Sequence, residues 1–416
     1  MGAAFKLTAG QDAAYRAFTD FVTDPDQDIL VLTGYAGTGK STLVKYILDT
    51  LPSTIRLLKL ISLKDDSLEV QLTATTNKAA EALAGITGSS VKTIHSYLGL
   101  RVSKNIRTGI TKLVPHGGAV IKENTLIVID EASTIDQHLL DQIINRTSDC
   151  KILFIGDPAQ LTPVKSTAPV VFNQSYKTVA LTEVVRQLKG NPIINLATSF
   201  RDTVNGASFI SNFVPDGVNI KHCCRSDFED LIGAEFDRPD WVSSDSKVLT
   251  WTNKAVIEFN RAIRNHVEGQ AQLQVYDYAV CNNFINTRNC KVKTDQEVQI
   301  TNMMPSTDQG LRGWKVELNY KHTAFMPHSF LEFKEMLKEA KKAEDWQTVS
   351  HIDNYWLDLR AAYACTINKS QGSTYRKVFI DLDDVKKCNQ GSLIARLMYV
   401  AISRASDQVV LTGDLV

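Results

Sequence analysis

The sequence predicts an α/β protein of two domains. Each is a parallel sheet covered by helices. A β-hairpin is set into the first, and a small β module with a helical extension is set into the second. Three observations predict this. Short, β-branched apolar runs recur between helix-like stretches, as in strands buried on both faces. The first run ends in a glycine-rich turn that opens a helix. A stretch of alternating polar and apolar residues interrupts the later series of runs.

Taken in order, residues 29–32 form the first strand and lead into the turn 34–41, with a helix-like segment over 42–51. Residues 70–74, 126–129, 152–155 and 179–181 complete the first sheet. Residues at about 99–118 read as a β-hairpin, with arms 101–106 and 110–114 around Arg107-Thr108-Gly109. The second sheet takes 248–251, 361–365, 378–380 and 409–411. Between its members lie the alternating segments 291–301 and 314–320, then charged helical sequence over 330–359. The predicted domains are 1–190, then 191–261 with 359–416, with 262–358 inserted.

With 416 residues, the chain can hold about two to four domains. Hydrophobic residues at 44% and charged residues at 22% exclude wholesale disorder. No apolar run reaches the ~18–20 residues of a membrane span, and the N-terminal residues lack a signal-like apolar core. A cytoplasmic location is expected, the host cytoplasm for a phage protein. Lys+Arg and Asp+Glu are 46 each, which excludes a strongly basic coat. Any nucleic acid must be held by a local basic groove. The seven cysteines include no C-x-x-C, and His222-Cys223-Cys224 has no second ligand pair at a zinc spacing. Free thiols in a reducing compartment are expected.

The chemistry starts at Gly34-Tyr35-Ala36-Gly37-Thr38-Gly39-Lys40-Ser41, which matches G-x-x-x-x-G-K-[ST] between a strand and a helix. Glycines let backbone N–H groups wrap phosphates at a helix N-terminus, where negative charge is favoured. Lys40 would reach the β/γ-phosphates of ATP, and the Ser41 hydroxyl would ligate Mg²⁺. Asp130-Glu131 ends a buried strand and so faces the crevice where such folds bind ligands. Asp130 would hold Mg²⁺, and Glu131 would orient or deprotonate the attacking water. Gln160 ends the next strand and would sense the γ-phosphate or the water. Arg186 and Arg404 are candidates to spread charge over the transferring phosphoryl group; taken alone, each is an ordinary surface arginine.

These residues, with Thr366-Ile367-Asn368-Lys369-Ser370-Gln371-Gly372 and 399–404, resemble the ordered motifs of superfamily 1 helicases. They are most like the Dda-type phage enzymes of the 5′→3′ branch, which also holds RecD-like and Pif-like proteins. Leu7-Thr8-Ala9-Gly10-Gln11, 93–96 and 251–254 extend the resemblance over nearly the whole chain. It implies two RecA-like motor domains with Mg-ATP between them, driving translocation on a single strand and unwinding of duplex. Gln11 would read the adenine. Gly34, Gly37, Thr38, Gly39, Lys40, Ser41 and Gln371 would surround the nucleotide. Arg404 would come from the second domain, with Arg186 also directed at the phosphates.

On the same resemblance the DNA contacts are Thr76, Asn77, Lys78, Thr93 and His95 in the first domain. In the second they are Trp251, Asn253, Lys254, Thr366, Lys369 and Ser370. Hydroxyl, amide and cationic groups of this kind track phosphates without reading sequence. His95, Tyr97, Trp251 and Trp314 are candidate stacking platforms; each aromatic taken alone is more often a core residue than a platform. The hairpin matches a strand-separation pin, with Ile110 or Leu113 as the wedge, and the β module matches an SH3-like domain. Implied partners are single-stranded DNA, single/double-strand junctions, and single-strand-binding or replisome proteins. The chain departs from the pattern in three places: Asn368 stands where His is usual, Thr75-Thr76-Asn77 where Pro-Thr-His is, and Ser41 where Thr is. No motif separates DNA from RNA. An RNA-directed or protein-displacing translocase of the same superfamily, or a nucleotide switch, remains an alternative reading.

Overall fold

The computed structural model describes residues 7–62, 68–104, 111–115, 120–163, 169–183, 190–210, 213–269 and 272–415, without the side chains of 54–62, 102–104 and 111–112. Two compact units divide the chain at Ser208/Phe209.

In the first unit, α1 (Ala9–Thr23) starts at a capping box. The Thr8 hydroxyl accepts from Gln11 N, and the Gln11 side chain accepts from Thr8 N. The strands β1 (Ile29–Gly34), β2 (Glu69–Ala74), β3 (Val91–Thr93), β4 (Thr125–Asp130), β5 (Lys151–Gly156) and β6 (Lys177–Leu181) form one parallel sheet. Its order is β6-β1-β5-β4-β2-β3. Successive side chains divide between its faces. Leu30, Leu32, Leu126 and Val128 join one core with residues of α1 and of α2 (Lys40–Ser62). Val31, Ile127, Ile129 and Phe154 join another with Ile94 and Leu98. Both faces are covered, so the strands read as unbroken apolar runs.

Helices α3 (Asn77–Thr87), α4 (Ile94–Tyr97) and α5 (Gln137–Asn145) are capped by Thr76, Thr93 and Asp136, each accepting from a backbone N–H in the first turn. The hairpin pairs Leu100–Lys104 with Thr111–Pro115, from Leu100↔Pro115 to Lys104↔Thr111. Its turn, which includes Ile110, lies outside the described residues, as does Arg186. Helix α6 (Pro192–Val204) falls in the first unit, beyond the predicted boundary at 190.

In the second unit, β7 (Ile220–Cys223) leads to α7 (Arg225–Phe236), β8 (Ser246–Thr250) and α8 (Asn253–Glu268). Helix α8 therefore overruns the expected boundary at 261. The module strands follow: β9 (Tyr278–Cys281), β10 (Glu297–Asp308), β11 (Leu311–Leu318) and β12 (His322–Pro327). Helices α9 (Phe330–Lys342) and α10 (Trp346–Tyr355) come next. Their apolar residues Phe333, Met336, Leu337 and Ile352 pack with Phe325 and Trp356.

The expected single strand over 361–365 is two strands in two sheets. β13 (Leu359–Ala361) closes the antiparallel module sheet β12-β11-β10-β9-β13. β14 (Ala364–Thr366) joins the parallel sheet β7-β16-β15-β8-β14 with β15 (Tyr375–Asp381) and β16 (Ala405–Thr412). The junction is pinned by partners that an apolar pattern cannot reveal. Asn260 Oδ1 accepts from Tyr363 N and Ala364 N, at 3.0 and 2.9 Å. Lys247 Nζ donates to the Ala362 carbonyl at 2.6 Å and meets Glu297 at 3.3 Å. Arg264, as deeply buried as Lys247, pairs with Asp277 at 2.7 Å. These two buried cations tie the parallel sheet and its helix to the module. Helices α11 (Leu382–Val385) and α12 (Gly391–Ser403) complete the unit. Among the described residues, no helix is long and apolar enough to cross a membrane.

Candidate functional site

In the first unit the candidate chemistry collects at the C-terminal ends of β1, β5 and β4, which are neighbours in the sheet. Gly37 and Gly39 adopt φ of 81° and 79°, which side-chain-bearing residues rarely tolerate. A Cβ on Gly34 would stand 2.6 Å from Thr38 Oγ1. Lys40 Nζ donates to the Gly34 and Tyr35 carbonyls at 2.5 and 3.0 Å, which curls the side chain over the loop. Ser41 is half-buried on the first turn of α2.

Asp130 and Glu131 follow directly. Asp130 Oδ1 accepts from Glu131 N at 2.8 Å. Burial raises the Asp130 carboxyl above its ordinary range, opposed by that hydrogen bond and by the charge of Lys40. A cation beside it would be strongly favoured, and Ser41 and Asp130 are suited to hold one. Glu131 is left-handed, with φ 55° and ψ 42°, a strained conformation for a non-glycine residue. Its carbonyl accepts from Thr134 Oγ1 at 2.9 Å, from Thr134 N at 3.1 Å, and from Thr75 Oγ1 at 3.3 Å. Gln160 is buried after Asp157, whose carboxylate accepts from Ala159 N.

Thr76 is exposed while Asn77 and Lys78 are half-buried, immediately past β2. The Thr76 hydroxyl serves as the N-cap acceptor for Ala79 N, and the Thr93 hydroxyl does the same for Ser96 N. Each keeps its own proton available to a phosphate. His95 is half-buried and its pKa is lowered by burial, against the pull of Asp136, so the ring is biased towards neutral.

In the second unit, Asp384 organises the loop that bears Trp251, Asn253 and Lys254. Its carboxylate accepts from Trp251 N, Thr252 N and Thr252 Oγ1 at 2.7, 2.8 and 2.7 Å. Thr252 in turn caps α8. Burial would raise the Asp384 pKa, but these bonds and Lys387 hold it below the usual carboxylate range. Asn253, Thr366 and Lys369 line a cleft of about 440 Å³, faced from the module side by Phe330, Asn282 and Arg360. Lys369 is exposed and pairs with Asp295 at 2.7 Å.

Ser370 and Leu113 depart from their expected roles, and the other candidates are held by partners of their own. Ser370 is fully buried and its hydroxyl donates to Ile367 O at 2.7 Å, so it presents nothing to a strand. Gln11 is buried, with its side-chain oxygen accepting from Thr8 N and its side-chain nitrogen donating to Thr38 O at 3.5 Å, which ties the start of α1 to the loop. Leu113 is half-buried, pairs with Val102 and packs on the first unit's core, so it is no tip wedge. Arg404 is buried, with its guanidinium donating to Val400 O, Ser373 O and Ser403 Oγ. Trp314 packs on the module core. Gln371 is half-buried at the end of the same turn as Lys369. Sequence reasoning passed over Thr134, Asp384, Asp295, Phe330 and Arg360. All act through partners remote in sequence, and no local spacing marks them.

The AAA domain family matches residues 6–209, ending where the first unit ends, and the UvrD-like helicase C-terminal domain family matches 361–412. The chain is similar to the ATP-dependent RecD2 DNA helicase of Deinococcus radiodurans, 33% identical over 171 residues, 41% of this chain and 21% of that protein. It is also similar to the ATP-dependent DNA helicase dda of Enterobacteria phage T4, 27% identical over 283 residues, 63% of this chain and 57% of that one. It thus spans about a fifth of the first relative's length and somewhat over half of the second's. In fold it is similar to the crystal structure of Pif1 helicase from Bacteroides in complex with ADP-AlF3 and ssDNA. The TM-score is 0.52 and the identity 16%, covering 99% of this chain and 94% of that one. That likeness supports reading both parallel-sheet units as RecA-like.

Proposed function

We propose that this chain, which belongs to the superfamily 1 helicases of Pif1-, RecD- and Dda-like type, is an ATP-dependent DNA helicase that moves 5′→3′ along single-stranded DNA and opens duplex. One observation carries the reading: Lys40, Ser41, Asp130, Glu131 and Gln160 meet at the ends of three neighbouring strands, behind a loop whose glycines take the phosphate-wrapping conformation. Ser41 and Asp130 would hold Mg²⁺, whose chemistry there would be neutralisation of phosphate charge. Lys40 would leave its carbonyl partners for the phosphates. Glu131 would orient the attacking water and accept its proton. Arg404 would act on the phosphates after releasing its carbonyl partners.

Thr76, Asn77, Lys78, Thr93 and His95 form the strand-facing set in the first unit. Trp251, Asn253, Lys254, Thr366 and Lys369 form it in the second. The phosphates would meet hydroxyl, amide and ammonium groups, which explains binding without sequence preference. Phe330 and Arg360 add a ring and a guanidinium on the far side of the cleft, both suited to stacking on a base. Partners on this reading are single strands, junctions and single-strand-binding or replisome proteins, in the cytoplasm.

The test is ATP-driven opening of two matched DNA duplexes, one with a 5′ tail and one with a 3′ tail. Opening of the 5′-tailed duplex alone is expected. Opening of the 3′-tailed duplex alone would reverse the direction. Hydrolysis of ATP without opening of either would replace the helicase with a translocase.

A further inference from the structure

The turn into α3 that offers Thr76, Asn77 and Lys78 to a strand begins at Thr75, which is buried. Thr75 also sits at the end of β2, where Ala74 pairs with Asp130 and Thr75 N donates to Asp130 O at 3.3 Å. Its hydroxyl lies 2.6 Å from Thr134 Oγ1, and both hydroxyls reach the Glu131 carbonyl, at 3.3 and 2.9 Å. Two protons thus serve a triangle of three oxygens, so one edge always goes without. The proton positions can exchange without any heavy atom moving far. The residue held by the triangle is the left-handed Glu131, whose backbone conformation sets where its carboxylate points. The Pro-Thr-His pattern that the chain otherwise resembles has proline at this position, with neither hydroxyl nor N–H. The triangle is therefore a property of this chain.

We infer that Thr75 is a positioning residue that couples strand occupancy to catalysis, with the Thr75–Thr134 hydroxyl pair transmitting displacement of the start of α3 to the backbone of Glu131. The inference rests on the helicase reading above. A strand pulling on Thr76, Asn77 and Lys78 moves Thr75 by way of the chain itself. Thr75 cannot shift without changing which hydroxyl holds the Glu131 carbonyl. The glutamate then enters or leaves the orientation that serves the attacking water. Both threonines act through Glu131 alone.

The experiment measures steady-state ATP hydrolysis of the full chain with and without oligo(dT), together with oligo(dT) affinity by fluorescence anisotropy. The proteins are wild type, Thr75→Val, Thr75→Ser and Thr134→Val. Valine keeps the shape and removes the hydroxyl; serine keeps the hydroxyl. Thr75→Val should lower the strand-stimulated kcat by about 3- to 10-fold, the scale of one lost hydrogen bond. KM for ATP and the oligo(dT) Kd should stay within about 2-fold of wild type, since no ligand contact is removed. Thr75→Ser should restore stimulation, and Thr134→Val should reproduce the valine defect. Wild-type stimulation in Thr75→Val would overturn the inference. So would a parallel loss of strand affinity, or a defect in Thr75→Ser as deep as in Thr75→Val, because either marks a plain contact or packing role. If Thr75→Val does not fold, Thr134→Val decides by the same criteria. Absence of stimulation in the wild type would sink the helicase reading first and this inference with it, a result distinct from a stimulated wild type with an equally stimulated variant.

Discussion

Replacing Asp384 by alanine is the most demanding check on how the second unit presents its strand-facing loop. The carboxylate is 1% exposed and satisfies two backbone N–H groups and one hydroxyl. Leaving a buried donor without a partner costs about 1–3 kcal/mol. The Thr252 hydroxyl can turn to water, and the Lys387 pair, with its lysine side chain 62% exposed, adds almost nothing. Two N–H groups at half-exposed residues then put the loss at about 2–4 kcal/mol. At about 2–4 °C per kcal/mol for a unit of this size, the melting temperature of Asp384→Ala should fall by roughly 5–15 °C. Asp384→Asn keeps one acceptor and should fall by less. The pH dependence has a definite sign. The folded pKa is depressed, so the carboxylate's contribution is fully present above the unfolded value of about 3.9 and is lost as pH falls through the folded value. The gap between wild type and Asp384→Ala should be constant from pH 7 to 5 and close only below about pH 4. The measurement is differential scanning calorimetry across that range. A variant that melts within about 1 °C of wild type, or a gap that widens in acid, would refute the reasoning.

Two further outcomes follow from the sites. Lys40→Ala should leave the fold intact and lower the rate of phosphate release by about 100-fold or more, because the ammonium curled over the loop is gone; near-normal turnover would collapse the nucleotide assignment. Asp295→Asn should free Lys369 from a half-exposed ion pair, tightening oligo(dT) binding at low salt by about 2- to 5-fold. It should also steepen the salt dependence by up to one phosphate contact, a slope change of about 0.7 in log–log terms; weaker binding on titration would show that Asp295 positions the lysine rather than competing for it.

Much of the fold was legible because it rests on local signals. The runs 29–32, 126–129 and 152–155 are strands because both faces of their sheet are covered, and the glycines of 34–41 announce their own backbone. Asp130 and Glu131 were placed by the same logic. What failed to show was non-local. The run 361–365 is uniformly apolar and gives no sign that Lys247 and Asn260 split it between sheets. Ser370 lies in a motif whose residues are expected to face ligand, yet its own hydroxyl turns inward to Ile367. Composition does not say which member of a turn points out. Thr75 looked like a mere departure from a pattern until the hydroxyl of Thr134 was found beside it.

The buried cations beneath the module bear on how this architecture can change over time. Lys247 and Arg264, the latter on α8, are each 1% exposed, and each has an acidic partner beyond that helix, Glu297 and Asp277. Excising the module from Asp277 onward would remove both carboxylates and leave Arg264 only the part-exposed Glu268 at 3.5 Å, and breaking a buried pair by removing one member costs about 3–5 kcal/mol. Deletion therefore demands simultaneous replacement of Lys247 and Arg264 by apolar residues, whereas tinkering at the far end, around α9 and α10, carries no such penalty. Once acquired, the module is easier to elaborate than to discard: a ratchet in lineage written into two side chains.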